Sequence, residues 1–203
     1  MHMTGLRELQ RQRVHEAIST AAVALFLERG FDEVPVTEVA AAAGVSKPTL
    51  FKYFPTKEDL VLHRIADHQG EAARVVRQRA PHERPLEALR RHFLDGLARH
   101  DPVTGLNDDP EVLAFNRMVF STPSLVARLF RHMSLDEQAL AEALAETTDD
   151  LTADLVAGQV LAAQRVLARR NVELLVEGRP LEEVEREAVR AAERAFSLLP
   201  SEV

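Results

Sequence analysis

Cysteine and tryptophan are absent from this sequence, and glycine and proline are scarce, with 8 and 10 among 203 residues. Without thiols the chain forms no disulfide, iron–sulfur cluster or thiolate zinc site and has no cysteine nucleophile. No apolar run approaches the ~18–20 residues that a transmembrane helix needs, and the polar, basic N-terminus lacks the apolar segment of a signal peptide. We therefore expect a cytoplasmic protein that does not interact with a membrane.

The periodicity of the remaining sequence predicts helices almost throughout. Hydrophobic residues make up 46% and charged residues 28% of the chain, as in ordinary globular proteins. We expect an all-α fold of about nine helices, one of which runs from about Thr56 to Arg79. The predicted organisation is a three-helix domain with a helix-turn-helix over residues 1–56 and a larger helical domain over residues 57–203.

The charge distribution favours one local cationic surface on an acidic chain. The net charge of -7 argues against a nucleic-acid binder when it is taken for the whole chain. All three lysines, however, fall between Lys47 and Lys57, and residues 45–57 contain no acidic side chain. The alternative is an ordinary solvated loop.

Two short predicted helices, over about 36–43 and 47–54, surround a tight turn. Gly44 supplies the positive φ that the turn needs, Ser46 can cap the second helix, and Pro48 fits its first turn. This pattern is typical of a helix-turn-helix. The apolar residues predicted to hold the two helices against the first helix are Val39, Ala42, Val45, Leu50 and Phe54. The side chains left facing outward are Ser46, Lys47, Thr49, Lys52 and Tyr53.

These outward residue types suit DNA. Lysine neutralises phosphates, hydroxyl groups donate to phosphate oxygens or base edges, and the threonine methyl packs against the thymine methyl. Thr56 and Asp59 form a capping-box pattern for the next helix. Lys57 in that first turn opposes the helix dipole, and a bound phosphate would account for it. The alternative is a solvated lysine tolerated at small cost.

The residues Phe31-Asp32 and the run from Val36 to Leu60 together resemble the N-terminal domain of TetR-family repressors. The resemblance implies that the positions approaching bases and backbone in the major groove are Thr37, Lys47, Pro48, Thr49 and Phe51. It implies phosphate contacts for Lys52, Tyr53 and Lys57. Two residues depart from the family pattern. Pro35 replaces a threonine that caps the second helix and touches a phosphate. Phe51 replaces a tyrosine, and it can meet a thymine methyl but cannot hydrogen-bond.

The last two predicted helices carry more apolar surface than one chain can cover. We therefore expect an isologous four-helix dimer interface, with purely intramolecular packing as the alternative. The residues predicted to form it are Leu155, Val166, Val184, Ala188, Ala191 and Ala195. The family dimerises in the same way, and a two-fold dimer presents two recognition helices to a palindromic operator.

Phenylalanine, methionine and a few polar side chains gather in the middle of the sequence and suggest an adaptable pocket. The candidate ligand-binding residues are His92, Phe93, Phe115, Asn116, Met118, Phe120, Phe130 and Met133. For each of them a core or surface position is the alternative. In the family, a small molecule bound in this region releases the operator. We expect a largely apolar effector.

Two other classes of function remain as alternatives. The 8 histidines are scattered, and no phosphate-binding glycine loop or nucleophile elbow is present. The sequence therefore supplies no candidate catalytic residue, metal ligand or cofactor site for an enzyme. A helical interaction protein that never binds DNA is the second alternative. The sequence favours a homodimeric, ligand-responsive transcriptional regulator, and specifically a repressor.

Overall fold

The computed structural model describes residues 3–66 and 68–200, and in that part of the chain it contains helices and no strand. The α-helices are α1 (Met3–Arg29), α2 (Val36–Ala42), α3 (Lys47–Tyr53), α4 (Asp59–Ala66), α5 (Glu71–Gln78), α6 (Pro85–Ala98), α7 (Pro110–Ser121), α8 (Pro123–Leu144), α9 (Asp150–Val176) and α10 (Leu181–Ser197). One 3₁₀ turn covers Pro102–Thr104. The all-α prediction is confirmed, with ten α-helices in the described residues in place of about nine.

The described residues divide into two compact units. The first comprises residues within 1–67 together with 114–129, and the second comprises residues within 68–113 and from 130 onward. The division therefore does not fall at residues 56 and 57, because α4 and parts of α7 and α8 pack with the first three helices. The predicted boundary between the functional domains, at residues 56 and 57, stays a prediction.

The core of the first unit forms where α1 packs against α2 and α4. Ile18, Ala22 and Phe26 recur every four residues along α1 and are buried, as an amphipathic helix requires. Leu50 of α3 is fully buried in the same cluster. The prediction for Ala42 is wrong, since Ala42 is exposed and Ala40 is buried instead. Because residues 40–43 are all alanine, the hydrophobic pattern does not indicate which of them face the core.

The single helix predicted from Thr56 to Arg79 is interrupted. The helix α4 ends at Ala66, and α5 begins at Glu71 after Gly70, whose φ of 70° is left-handed. The Gly70 amide donates to the carboxylate of Asp136 on α8 over 2.8 Å. Burial raises the pKa of Asp136. A contact with a residue 66 positions away therefore fixes the break, and periodicity along the chain does not report it.

The core of the second unit forms where α10 packs on α9 and α6. The turn after α6 lies directly on α9. There the buried Asn171 amide donates to the Thr104 carbonyl over 2.9 Å. Gly105 lies so close to the backbone of Ala168 that no side chain fits between them. These contacts fix the turn on α9.

Candidate nucleic-acid interface

The turn between α2 and α3 is built as the sequence predicts. Gly44 has a φ of 67°, and the amide of Val45 donates to the Ala40 carbonyl over 2.9 Å. The Ser46 hydroxyl caps α3 by accepting from the Thr49 amide at 3.2 Å, and Pro48 lies in the first turn of the helix. The first two turns of α3 are thereby fixed on the outside of the unit.

The Ser46 and Thr49 hydroxyls are also bonded to each other. Their oxygens are 2.8 Å apart. Ser46 is exposed and Thr49 is half-buried. Since the capping bond and this mutual bond both engage the Ser46 oxygen, these two hydroxyls chiefly stabilise the start of α3. The sequence pattern predicted the cap from Ser46 and assigned both hydroxyls to DNA, but it did not predict the bond between them.

Lys47 and Lys52 are exposed on α3. Neither forms an ion pair with any residue in the described ranges. The Lys47 ammonium lies 5.9 Å from the centre of the Phe51 ring, one turn along the helix. The face of α3 therefore carries two uncompensated positive charges, a favourable arrangement for phosphate.

The other residues predicted to approach DNA differ in exposure. Thr37, Pro48 and Phe51 are exposed. Tyr53 is half-buried with its ring 6.5 Å from the ring of His15. Phe51 is 36% exposed, a large apolar side chain on the outer face of a short helix.

Lys57 is held by contacts within its own unit. Its ammonium lies 4.6 Å from the centre of the Phe31 ring and 5.5 Å from that of Phe26, and it donates to the Asp32 carbonyl at 3.4 Å. Cation–π attraction is worth about 0.5–1 kcal/mol or more at such sites. These contacts give Lys57 a structural role besides the two that the sequence offered, a bound phosphate and a solvated lysine. Its contact with DNA stays a prediction.

A half-buried ion pair, which no sequence motif indicates, joins the start of α4 to α8. The capping box is confirmed, with Thr56 and Asp59 exchanging hydrogen bonds of 3.1 and 3.2 Å. The second carboxylate oxygen of Asp59 accepts from Arg128 over 2.9 and 3.1 Å. The partners are 69 residues apart, a separation at which spacing rules carry no information.

Residues 18–63 match the sequence model of the family described as "Bacterial regulatory proteins, tetR family". The matched segment runs from α1 into α4 and contains the whole helix-turn-helix. This part of the chain, about a quarter of its length, is therefore similar to the DNA-binding segment of the TetR family.

Two curated relatives and one solved structure illustrate the similarity. The chain is 29% identical to the transcriptional regulator TcmR of Streptomyces glaucescens, over 70% of this chain and 63% of TcmR. It is 28% identical to the transcriptional repressor LfrR of Mycolicibacterium smegmatis, over 66% of this chain and 65% of LfrR. The matches thus span less than two thirds of either relative.

The solved structure is that of NalD, the secondary repressor of the MexAB-OprM multidrug efflux pump in Pseudomonas aeruginosa. It superposes with a TM-score of 0.64, covering 95% of this chain and all of NalD, at 17% identity. At that identity the likeness shows a shared fold.

One departure from the TetR-family pattern has a visible structural consequence. Pro35 is the N-cap of α2 and makes no side-chain hydrogen bond there. The capping hydroxyl that many family members carry is thus missing. A fixed proline φ suits the position just before a helix, so α2 still begins at Val36.

The residues predicted to form the TetR-like dimer interface fall into two groups. Leu155 and Val166 on α9 are 56% and 62% exposed. Val184 and Ala188 on α10 are buried in the core of their own unit, which leaves them unavailable to a partner. The other two residues of the predicted set, Ala191 and Ala195, are half-buried. Helical periodicity alone could not distinguish the face of α10 that packs inside its own unit from the neighbouring face that stays partly exposed.

The predicted effector residues are also unevenly placed. Phe93 belongs to the core of the second unit, with its ring 6.2 Å from that of Phe196, and Met118 belongs to the core of the first. Phe120 and Phe130 are 48% and 57% exposed. The half-buried members of the set are His92, Phe115, Asn116 and Met133.

His92 is part of a polar network in the second unit. Its Nε2 lies 3.1 Å from the Glu71 carboxylate, which also bonds the His68 imidazole at 2.8 Å. Burial opposes ionisation of Glu71, but the bond from His68 and the nearby His92 lower its pKa below the ordinary value.

Neither a membrane-spanning helix nor a group of metal ligands occurs within the described ranges. Across residues 3–66 and 68–200, no helix combines the length and the apolar character that spanning a bilayer requires. In the same residues, no three histidine, aspartate or glutamate side chains are grouped to hold a metal ion.

Proposed function

We propose that this chain is a sequence-specific DNA-binding transcriptional repressor, released from a palindromic operator by a small, largely apolar effector. The observation that supports it most directly is α3, which presents Lys47 and Lys52 exposed and without an ion pair to any residue that the structure describes. Gly44 forms the turn that leads into α3, and the Ser46 hydroxyl caps the N-terminal end of this helix. A short, rigid, cationic outer helix of a helix-turn-helix is suited to the major groove. The naming of the relative LfrR as a repressor supports repression over activation.

Two such helices bind a palindrome when the chain forms a two-fold dimer. The exposed apolar residues of α9 supply a surface for it. Leu155 and Val166 are eleven residues apart and so point within about 20° of each other, and Leu151, one turn before Leu155, is 68% exposed. Burying such side chains against a second copy stabilises a dimer by about 1.5–3 kcal/mol for each.

Effector release requires a ligand with unequal affinity for the DNA-bound and released states. Within the second unit, the half-buried members of the predicted set include an apolar side chain, Met133, and a polar group that can orient a ligand, His92. A thermal-shift screen of apolar compounds should raise Tm, and a hit should also release bound DNA. Failure of every apolar class would refute this part of the proposal.

The DNA-binding part is tested by reversing the charge of α3. The operator is first selected from a pool of random duplexes on the immobilised full chain. The Lys47→Glu/Lys52→Glu variant should then lose at least a hundredfold in affinity for that duplex by fluorescence anisotropy. A matched control is Arg131→Glu/Arg186→Glu, which makes the same change in charge at exposed positions of α8 and α10.

The control should keep its affinity within about threefold, since its charges lie outside the helix-turn-helix. Equal losses of affinity in both variants would show that binding depends on the net charge of the chain and not on the position of the lysines. If the wild-type chain selects no duplex and the α3 variant still supports the protein's cellular role, the chain is a helical interaction protein instead.

A further inference from the structure

We propose that Arg128 of α8 is a positioning residue for α3, and that the affinity for the operator depends on the ion pair between Arg128 and Asp59. The inference rests on the proposed DNA binding, and it assigns part of that binding to a residue far outside the helix-turn-helix.

The helix α3 has few attachments of its own. It is seven residues long and packs chiefly against α2. Leu50 is the buried residue within it, and Phe54, directly after it, is buried as well. The C-terminal end of α3, which carries Lys52, is therefore held largely through the residues that join α3 to α4.

The Asp59 carboxylate closes that junction. One of its oxygens accepts from the Thr56 amide at 3.1 Å, and the Thr56 hydroxyl accepts from the Asp59 amide at 3.2 Å. Residues 54–58 link the two helices. These bonds therefore set the path of the chain between Lys52 and Lys57, two positions predicted to contact phosphates.

Arg128 fixes the same carboxylate from α8. Its Nε and Nη2 atoms both donate to the other Asp59 oxygen, over 3.1 and 2.9 Å. The side chains of Arg128 and Asp59 are 26% and 14% exposed, so water competes little for these bonds. Hydrogen bonds between charged groups are the stronger kind. Without Arg128 the carboxylate has no counter-charge and turns toward water, which loosens its bond to Thr56.

The start of α8 is held in the first unit by apolar contacts as well. Leu125 is fully buried, and Leu129 is half-buried against the same core. These two leucines are four residues apart, so they lie on one face of α8 beside Arg128. Replacing Arg128 therefore breaks the ion pair and leaves α8 in place, which separates the positioning of α3 from the folding of the unit.

The test measures the affinity of the full chain for its selected operator and for a scrambled duplex by anisotropy. The temperature is well below Tm, where circular dichroism shows each variant folded. Arg128→Ala should weaken operator binding about tenfold, within the range for coupling between distant sites, and should change the affinity for scrambled DNA much less. Arg128→Lys keeps the charge and should recover most of the lost affinity.

Asp59→Asn distinguishes positioning from charge. It removes a negative charge from the first unit, so electrostatic attraction alone predicts tighter binding to DNA. Positioning predicts weaker binding to the operator, because a neutral amide holds Arg128 less strongly than a carboxylate. Asp59→Asn/Arg128→Ala should bind the operator no more weakly than Arg128→Ala, since both changes break one interaction.

Two matched variants of α8 are the controls. Arg131→Ala removes the same charge from an exposed position one turn further along, and it should keep the wild-type affinity. Leu129→Ala should lower Tm because it removes apolar contacts, but it keeps the ion pair and should leave operator affinity unchanged.

The inference is overturned if the wild type selects its operator and Arg128→Ala binds that operator as tightly as Arg131→Ala does. Tighter operator binding by Asp59→Asn than by the wild type, or an equal loss in Leu129→Ala and Arg128→Ala, overturns it as well. A wild-type chain that does not distinguish its selected operator from scrambled DNA would refute the proposed function itself, and this inference with it.

Discussion

Gly105 is the position where the smallest change in the chain should have the largest effect on stability. It follows the 3₁₀ turn in the second unit and has a φ of 71°. A Cβ placed there would lie 2.0 Å from the carbonyl oxygen of Ala168 on α9 and 2.7 Å from its carbonyl carbon. Both are backbone atoms of a long helix, which cannot rotate aside as a side chain can.

The cost of Gly105→Ala has two parts. A left-handed alanine costs about 1–2 kcal/mol, of which about 0.4–1 kcal/mol is recovered because alanine restricts the unfolded chain. The clash must be relieved by moving the turn away from α9 by more than an ångström, and overpacking of this kind costs about 1–3 kcal/mol or more. Such a shift also weakens the bond from Asn171 to the Thr104 carbonyl. With the weakened bond contributing about 0.5–1.5 kcal/mol, the total is about 1.5–6 kcal/mol.

Gly178→Ala is the matched control. Gly178 has a φ of 85°, and an added Cβ would meet no atom within 4 Å. Only the conformational cost applies, so we expect about 1 kcal/mol or less.

The assay is urea unfolding followed by circular dichroism, because the chain has no tryptophan to serve as a fluorescent reporter. Gly105→Ala should lower the free energy of unfolding of the second unit by at least 2 kcal/mol more than Gly178→Ala, about 4–8 °C in Tm for a chain of this size. Equal losses for the two variants would refute the reasoning from the Ala168 contact.

Three further predictions concern ion pairs, titration and assembly. Arg128→Ala should destabilise the first unit by about 1–2 kcal/mol, whereas Arg131→Ala should change unfolding by less than about 0.5 kcal/mol. The pKa of Asp136 is raised in the folded chain, so ionisation of this carboxyl group lowers the free energy of unfolding as pH rises through that pKa. Asp136→Asn should therefore raise Tm at pH 7. The gain in Tm should vanish toward pH 3.5, where the carboxyl group is protonated. Leu155→Glu/Val166→Glu should sediment as a monomer with little change in helical content, and a dimer of unchanged affinity would exclude this face of α9.

Local patterns predicted the helix-turn-helix well because its rules act over a few residues. Gly44, Ser46 and Pro48 each have a role set by neighbours within one turn, and the Thr56–Asp59 capping box likewise acts over three residues. Such features leave a signal in the spacing of residue types. The same holds for the apolar positions of α1.

Contacts between distant residues left no such signal. The break at Gly70 depends on Asp136, the pairing of Asp59 depends on Arg128, and the inner face of α10 depends on which flank meets α9 and α6. Gly70 itself was a visible hint in the sequence, since glycine inside a helical pattern weakens it. The internal use of the Ser46 hydroxyl was also foreseeable as a cap, but its bond to Thr49 was not.

Whether α3 binds DNA is tested most directly by titrating the full chain onto its selected operator and onto a scrambled duplex across a salt series. We expect saturable binding at two chains per operator, at least a hundredfold tighter than to scrambled DNA. Each phosphate contact contributes a slope of about -0.9, so Lys47→Ala/Lys52→Ala should reduce the slope by about 3.6 per dimer. Absence of binding at low salt, or equal binding to both duplexes with a slope that the two lysines do not change, would contradict the account.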